Sequence, residues 1–231
     1  MKLLPVFLFI VFPCLPAWSQ ETEKKPDAKR SCRIVFPERP NEAPKVAYLY
    51  DGRVNHEVTL PSMNFSEVID LPAGDITVLM TPDKITDPEK IPPNAPILKI
   101  PEATRHFYIL VTSDLANSVL PLQMNMVNVS DGKFNPGETL WFNLTDHRIV
   151  AKLQDSKMVA QPRSQTVSES PLPASGYYNA QFAYQPEGKG ELQRITEQFW
   201  WHDMNSRHLG FIVNTGGKLP KIYFYRDFRD K

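Results

Sequence analysis

The chain has 231 residues, in which 26 lysines and arginines balance 26 aspartates and glutamates. This neutrality argues against a nucleic-acid partner or a charged membrane surface, because both select a basic stripe on the protein. The 22 prolines and the lack of a clear amphipathic helix beyond the amino end favour short strands over long helices.

The amino end has the pattern of a secretory signal peptide. Lys2 precedes an apolar run over residues 3–12, and Ala17 and Ser19 place small residues before a cleavage site, which predicts removal of residues 1–19. The apolar run is shorter than the ~20 residues that a membrane-spanning helix needs. We therefore expect an exported protein, periplasmic or extracellular, with no transmembrane anchor once the signal is cleaved.

The two cysteines raise separate questions. Cys14 suggests lipid attachment as an alternative, although the residues before it are not the small ones that lipidation prefers. After cleavage Cys32 is the only cysteine left, so no intramolecular disulfide can form. A buried, inert thiol is the expectation for its strand-like surroundings, and a thiol activated by Arg30 and Arg33 is the alternative.

Segments of the chain recur in the same order about 100 residues apart, which predicts an internal duplication. Residues 20–31 read as a flexible leader, residues 32–127 and 138–231 as two related units, and residues 128–137 as a linker with a type II turn at Asn135-Pro136-Gly137. The matched segments are RHFYILVTSD from Arg105 with RHLGFIVNTG from Arg207, VAYLYDGR from Val46 with LWFNLTDHR from Leu140, LPAGDITVLM from Leu71 with LPASGYYNAQF from Leu172, and Leu120-Pro121 with Leu219-Pro220.

Within both units the apolar residues alternate with a period of two, the pattern of half-buried strands. Phe107, Ile109 and Val111 share one face, and the match predicts the same inward face for Leu209, Phe211 and Val213. Asp51-Gly52 predicts a tight hairpin between two strands.

The fold class that follows is all-β, with two tandem antiparallel β-sandwich units of about seven strands each, immunoglobulin-like or related in topology. The register of the last strand of each unit stays open, because Leu122-Met124-Met126 is offset by one residue from Ile222-Phe224.

Local catalytic signatures are missing from the sequence. There is no nucleophile elbow, zinc-binding H-E-x-x-H, Walker loop, Rossmann glycine pattern or C-x-x-C pair, and we predict no cofactor, no metal and no catalytic residue. His106 and His208 each follow an arginine at a strand entry, where a hydrogen-bonded pair is expected. The alternative is that His202, Asp203 and His208 converge in an acid–base or metal site of an extracytoplasmic hydrolase.

The most unusual local composition is that of Phe199-Trp200-Trp201-His202-Asp203. On a strand, Trp200 and Trp201 face opposite ways. One interpretation places Trp201 in the core and Trp200 over the junction between the units. The other makes this segment a binding surface for a sugar or peptide, formed by Trp200, Trp201, His202 and Asp203 with help from Tyr177, Tyr178 and Tyr184.

The leader, the GETLWFNLTDHRIVAKL segment and the terminal PKIYFYRDFRD together resemble uncharacterised secreted bacterial proteins with tandem β-rich units. The resemblance covers most of residues 32 to 228 and implies a Gram-negative origin, without an activity. We therefore expect a non-catalytic module of the periplasm or cell envelope that binds an envelope protein or glycan, or has a structural role.

Overall fold

The computed structural model describes residues 30–40, 43–62, 64–129, 134–186, 190–214, 217 and 219–227. The predicted signal peptide lies outside these residues, as does most of the predicted leader. In the described ranges the chain forms sixteen β-strands and a single 3₁₀ turn at Pro88–Lys90, without an α-helix. No helix of this part of the chain has the length and apolarity needed to cross a membrane.

The strands divide equally between the two halves of the chain. Those of the first half are β1 Arg30–Val35, β2 Val46–Tyr50, β3 Asn55–Thr59, β4 Ile69–Leu71, β5 Ile76–Thr81, β6 Ile97–Ile100, β7 His106–Ser113 and β8 Leu122–Asn128. Those of the second half are β9 Thr139–Asn143, β10 Arg148–Leu153, β11 Ser156–Ala160, β12 Ser164–Ser168, β13 Gly176–Gln185, β14 Gln193–His202, β15 Arg207–Val213 and β16 Lys221–Asp227.

Four four-stranded sheets result, and none of them mixes strands from the two halves. The first half forms sheet I (β4-β1-β7-β8) and sheet II (β3-β2-β5-β6), and the second half forms sheet III (β12-β9-β15-β16) and sheet IV (β11-β10-β13-β14). The predicted all-β fold with two sandwich-like units is confirmed, with eight strands in each unit rather than about seven. Adding eight to each strand number of the first unit reproduces the strand order of the second. A common origin and an immunoglobulin relationship stay predictions.

One pairing in each unit departs from the expected antiparallel pattern. β1 pairs with β7 in parallel, and β9 pairs with β15 in parallel, whereas the other named pairings are antiparallel. β1 begins at Arg30, so Arg30 and Ser31 belong to a strand and not to the predicted leader. Arg30 is buried, and its guanidinium donates to the carbonyls of Thr104 at 2.9 Å and Pro72 at 3.1 Å. These contacts fasten the first strand to the loops around it.

Three apolar clusters show how the sheets are layered. One lies between sheets I and II and one between sheets III and IV, and each contains residues of a single unit. The third joins sheet I to sheet III and includes Tyr108, Leu110, Phe142 and Phe211. The sheets therefore stack in the order II, I, III, IV, which leaves sheets II and IV as the outer layers.

The inward face predicted for β15 is wrong. Phe107, Ile109 and Val111 pack in the core of the first unit, but Leu209, Phe211 and Val213 pack in the cluster between the units. Aligning the two Arg-His pairs is therefore out of step by one residue, which exchanges the two faces of a strand. Since every residue of Leu209–Val213 is buried, the apolar pattern of β15 carries no signal for which face points inward.

The match between VAYLYDGR and LWFNLTDHR is also wrong, because it pairs two strands that are not counterparts. The first segment is β2, whose counterpart in the strand order is β10, whereas LWFNL belongs to β9 and its exit. The other three matched pairs lie on or directly before strands with equivalent places, namely β7 and β15, β5 and β13, and β8 and β16. Apolar strands of similar length resemble one another in sequence. Sequence similarity alone therefore cannot decide which of two consecutive strands is the counterpart.

Two turns predicted from their residues are confirmed. Asp51-Gly52 closes the β2–β3 hairpin, where Gly52 has φ of 93° and the Asp51 carboxylate accepts from the backbone N–H of Val54 at 2.7 Å. At the second turn Gly137 has φ of 86°, and the N–H of Glu138 donates to the carbonyl of Asn135 at 3.1 Å. Both glycines occupy the left-handed region that other residues avoid.

A buried polar contact accompanies the apolar cluster between the units. The Arg33 guanidinium of β1 contacts the Asp227 carboxylate of β16 at 2.9 Å and lies 4.7 Å from the ring centre of Phe65. The hydroxyl of Tyr108, in β7, donates to the same carboxylate.

Cys32 lies deeper in the first unit, where it is 2 % exposed and burial raises the pKa of its thiol to about 12. The thiol is therefore protonated and poorly nucleophilic at neutral pH.

Candidate functional site

The aromatic segment forms the end of β14, an edge strand of sheet IV. β14 pairs with β13 in an antiparallel hairpin, with Tyr177 opposite Trp201 and Tyr178 opposite Trp200. Successive side chains of a strand point to opposite faces. Of two consecutive residues on β13 or β14, one side chain therefore faces sheet III and the other lies on the outer face of the molecule.

Trp200 and Tyr178 are on the inner face. The Trp200 ring lies 5.3 Å from Phe182, 5.1 Å from Phe224 and 6.2 Å from Trp141 between ring centres. Tyr178 is 2 % exposed and meets Trp200 edge to face. The interpretation that Trp201 fills the core while Trp200 covers the junction between the units is therefore wrong, because the pairing register gives the two indoles the opposite faces.

Tyr184 is also on the inner face and so is not part of an exposed surface. It is 6 % exposed, and its hydroxyl donates to Gln193 Oε1 at 2.7 Å. Tyr184 thus belongs to the packing between sheets III and IV.

The outer face carries Tyr177, Phe199 and Trp201, which we call the aromatic patch. They are 70 %, 73 % and 48 % exposed, and the rings of Tyr177 and Trp201 meet edge to face at 5.0 Å. Within the described residues, the exposed aromatic side chains are confined to this patch. Phe199 was absent from the predicted set, although its alternation with Trp201 along the strand was a signal for it.

Next to the aromatic patch, five polar side chains line a pocket of about 220 Å³, which we call the polar pocket. Its lining residues are Lys152, Gln154, Asp155, Asn179 and Gln181. Asn179 is directly opposite Phe199 in the β13–β14 pairing, so the aromatic patch and the polar pocket share one face of sheet IV.

The amide of Asn179 is incompletely satisfied in the polar pocket. Its Nδ2 contacts Glu197 Oε1 at 3.4 Å, and Gln181 Nε2 donates to the same oxygen at 2.9 Å. The Asn179 Oδ1 atom is buried and has no hydrogen-bond partner among the described residues. Because a buried acceptor without a donor is costly, a hydroxyl or amino group brought to this oxygen by a movement of the Asn179 side chain would be favoured.

His202 and His208 lie inside the second unit, each 2 % exposed and with ring centres 6.0 Å apart. The Ser170 hydroxyl donates to the carbonyl of Leu172 at 2.6 Å, so it accepts from His202 Nε2–H at 2.8 Å. Burial lowers the pKa of His202. Burial and, secondarily, the neighbouring His202 lower the pKa of His208 to about 4. Both rings are therefore neutral at pH 7.

Asp203 makes separate contacts at the turn from β14 to β15. Its carboxylate accepts from the N–H of Asn205 at 3.0 Å and from the Ser206 hydroxyl at 2.8 Å, and it pairs with Arg226. These contacts close the turn. Across the described ranges, no group of three histidine, cysteine, aspartate or glutamate side chains is placed to hold a metal ion.

The duplicated Arg-His pairs lie at strand entries, as expected. His106 begins β7 and its Nδ1 is 3.1 Å from the Ser31 hydroxyl. Arg207 begins β15 and donates to the carbonyls of Val129 at 2.8 Å and Phe134 at 3.3 Å, in the connection between the units. The contacts of both pairs are those of structural anchors.

No protein-family model matches the chain, and no curated protein matches it either.

Proposed function

We propose that this protein is an exported, non-catalytic β-sandwich module of the periplasm or cell envelope that binds a ligand through the outer face of sheet IV. The observation that carries the proposal is the aromatic patch. Exposed aromatic residues gathered at one place are characteristic of binding surfaces, since they offer large contact area with little loss of conformational freedom. The cluster between sheets I and III supports this surface on a body of four packed layers.

The competing function, a hydrolase or metal-dependent enzyme using His202, Asp203 and His208, has less support. The two histidines are buried beside Phe224 and Ser170, and the Asp203 carboxylate is engaged by Arg226 and Ser206. A catalytic group must reach its substrate, and these contacts are those of packing and of a turn.

Binding can be tested by co-sedimentation of the purified protein with the isolated envelope fraction of a Gram-negative bacterium. We expect the wild type to sediment with the envelope and the double variant Phe199→Ala, Trp201→Ala to stay in the supernatant. Ile97→Ala is the matched control, because Ile97 is 53 % exposed on β6, the counterpart of β14 in the first unit. Equal sedimentation of all three proteins, or none by the wild type, would contradict the proposal.

Export is tested independently by expressing the full chain and sequencing the amino end of the periplasmic product. We expect the mature protein to begin at Gln20, since Ala17 and Ser19 precede that bond. Retention of Met1 in a cytoplasmic fraction would contradict the localisation and leave the binding surface untouched.

A further inference from the structure

We infer that the ligand of this face is a neutral oligosaccharide that stacks on the aromatic patch and extends into the polar pocket. The inference rests on the proposed binding function and adds its ligand class. Three features of the outer face of sheet IV carry it: the exposed aromatic rings, the amide side chains beside them, and the distance over which the two are spread.

The aromatic patch suits one side of a sugar ring. A pyranose has a face of C–H groups, which are weakly positive because of the neighbouring oxygens, and the face of an aromatic ring is weakly negative. Tyr177, Phe199 and Trp201 provide three such rings within two successive rows of the β13–β14 hairpin. Stacking of this kind needs exposed rings, and at least 48 % of each residue is accessible.

The polar pocket suits the hydroxyl groups at the rim of a sugar. Asn179, Gln181 and Gln154 are amide side chains, each with both a donor and an acceptor group. The buried Oδ1 of Asn179 has no donor among the described residues. A sugar hydroxyl that donated to this oxygen would satisfy it.

The size of the surface favours an oligomer over a single sugar. The Tyr177–Trp201 row and the Gln181–Glu197 row are four residues apart along the hairpin, a distance of ~13 Å at the rise of a β-strand. A ligand that contacts both the aromatic patch and the polar pocket must span this length, which takes several linked sugar residues.

Charge and position argue against the other ligand classes. The polar pocket contains one lysine and one aspartate, Lys152 and Asp155, so it has no excess charge to select an anionic ligand. A peptide that adds a strand to a sheet pairs along the free edge, here that of β14. The polar pocket is instead lined from β10, the turn after it and β13, and would be left unused by such a peptide.

The test is isothermal titration calorimetry of the purified protein with cellohexaose, chitohexaose and, as the anionic comparison, a galacturonic acid hexamer. We expect at least one neutral hexasaccharide to bind more tightly than the anionic one. Trp201→Ala and Asn179→Ala should each weaken that binding about tenfold or more, as truncation of a central contact does. Ile97→Ala and Asn125→Ala, exposed residues of the first unit, should bind as the wild type does.

The outcomes separate the ligand class from the proposed function. If neither neutral hexasaccharide binds while envelope binding still requires Phe199 and Trp201, the oligosaccharide is wrong and the binding surface stands. Tighter binding of the anionic hexamer, or hexasaccharide binding that survives both Trp201→Ala and Asn179→Ala, also overturns the inference. If envelope binding is absent as well, the proposed function fails with it. Thermal unfolding of each variant establishes that lost binding does not come from lost folding.

Discussion

Gly210 shows how closely single residues are fitted in the second unit. The parallel pairing of β9 with β15 places it opposite Trp141, and a Cβ atom at Gly210 would lie 2.1 Å from Trp141 Cε3. Trp141 is fully buried and its Nε1 donates to the Ser168 hydroxyl at 3.0 Å. The indole therefore has no room to move aside, and a glycine is required because of close approach and not because of backbone conformation.

We predict that Gly210→Ala lowers the free energy of unfolding by about 3 kcal/mol, because one added methyl group forces the indole out of its packed position. Urea denaturation followed by tryptophan fluorescence measures the effect. The control is Gly190→Ala, where a Cβ would meet no atom within 4 Å and the change should stay within about 0.5 kcal/mol. Equal stability of the two variants would show that the Trp141 contact is not constraining.

His208 makes the stability of the protein depend on pH. Its ring stacks on Phe224 at 4.9 Å, with His202 as the titratable neighbour at 6.0 Å. Its folded pKa of about 4 lies below the ordinary histidine value of 6.5, so the unfolded chain binds a proton that the folded protein excludes. The stability that depends on neutral His208 is complete above pH 6.5 and is lost as the pH falls from about 6.5 towards 4.

We predict that His208→Phe flattens the dependence of unfolding free energy on pH between 6.5 and 4. Over that range the wild type should lose on the order of 3 kcal/mol more unfolding free energy than the variant. Urea denaturation at a series of pH values measures it. His106→Phe is the control, since it keeps His208 and should keep the steep part of the curve. Parallel curves for wild type and His208→Phe would contradict the assignment.

At the scale of an element, β14 combines a packed inner face with an exposed outer face. Its pairing with β13 shifts where Phe182 opposes Thr196 and Ala183 opposes Arg194, leaving Ile195 unpaired. This bulge brings Arg194 within 2.9 Å of Glu197, an exposed ion pair of small energetic weight. After the bulge the alternation runs unbroken to His202, which gives neighbouring tryptophans opposite roles.

We predict that Trp200→Ala destabilises the protein by about 3 to 5 kcal/mol, as expected for removal of a large packed side chain. Trp201→Ala should change the stability by less than about 1 kcal/mol, because Trp201 is nearly half exposed. Thermal or urea unfolding of the two variants measures the difference. A larger loss for Trp201→Ala than for Trp200→Ala would mean that the strand presents the other face to the core.

At the scale of the whole molecule, the two units share an apolar cluster and a buried ion pair. Relative motion of two domains is expected unless their interface is large and apolar. Here sheets I and III meet through buried aromatic and aliphatic side chains from both units, and Asp227 is contacted by Arg33 and Tyr108 from the other unit. We therefore expect the two units to unfold together.

We predict a single calorimetric unfolding transition, in which the calorimetric and van't Hoff enthalpies agree. Asp227→Ala should lower the stability by about 3 kcal/mol without splitting the transition, because it removes one partner of a buried pair. Asp146→Ala is the control, since the Asp146–Arg163 pair is exposed and its loss should leave the stability nearly unchanged. Two resolved transitions, only one of which moves in Asp227→Ala, would show that the units are independent.

The sequence by itself determined the features that depend on neighbouring residues. Period-two alternation identified the strands of an all-β chain, and Asp51-Gly52 and Asn135-Pro136-Gly137 identified their turns. These signals are local, because glycine conformation and side-chain alternation depend on the immediate backbone. The same alternation separated Trp200 from Trp201, although it did not say which of them faces the core.

Only the tertiary structure decided which face of each strand meets which partner. Leu209, Phe211 and Val213 lie between the two units. The sequence could not place them there, because a strand buried on both faces has no polar side to orient it. The polar pocket was also invisible in the sequence, since Lys152 and Asn179 belong to separate strands and are brought together by the pairing of sheet IV. Contacts between distant segments depend on register and layer order, and a shift of one residue exchanges core and surface while leaving the alternation unchanged.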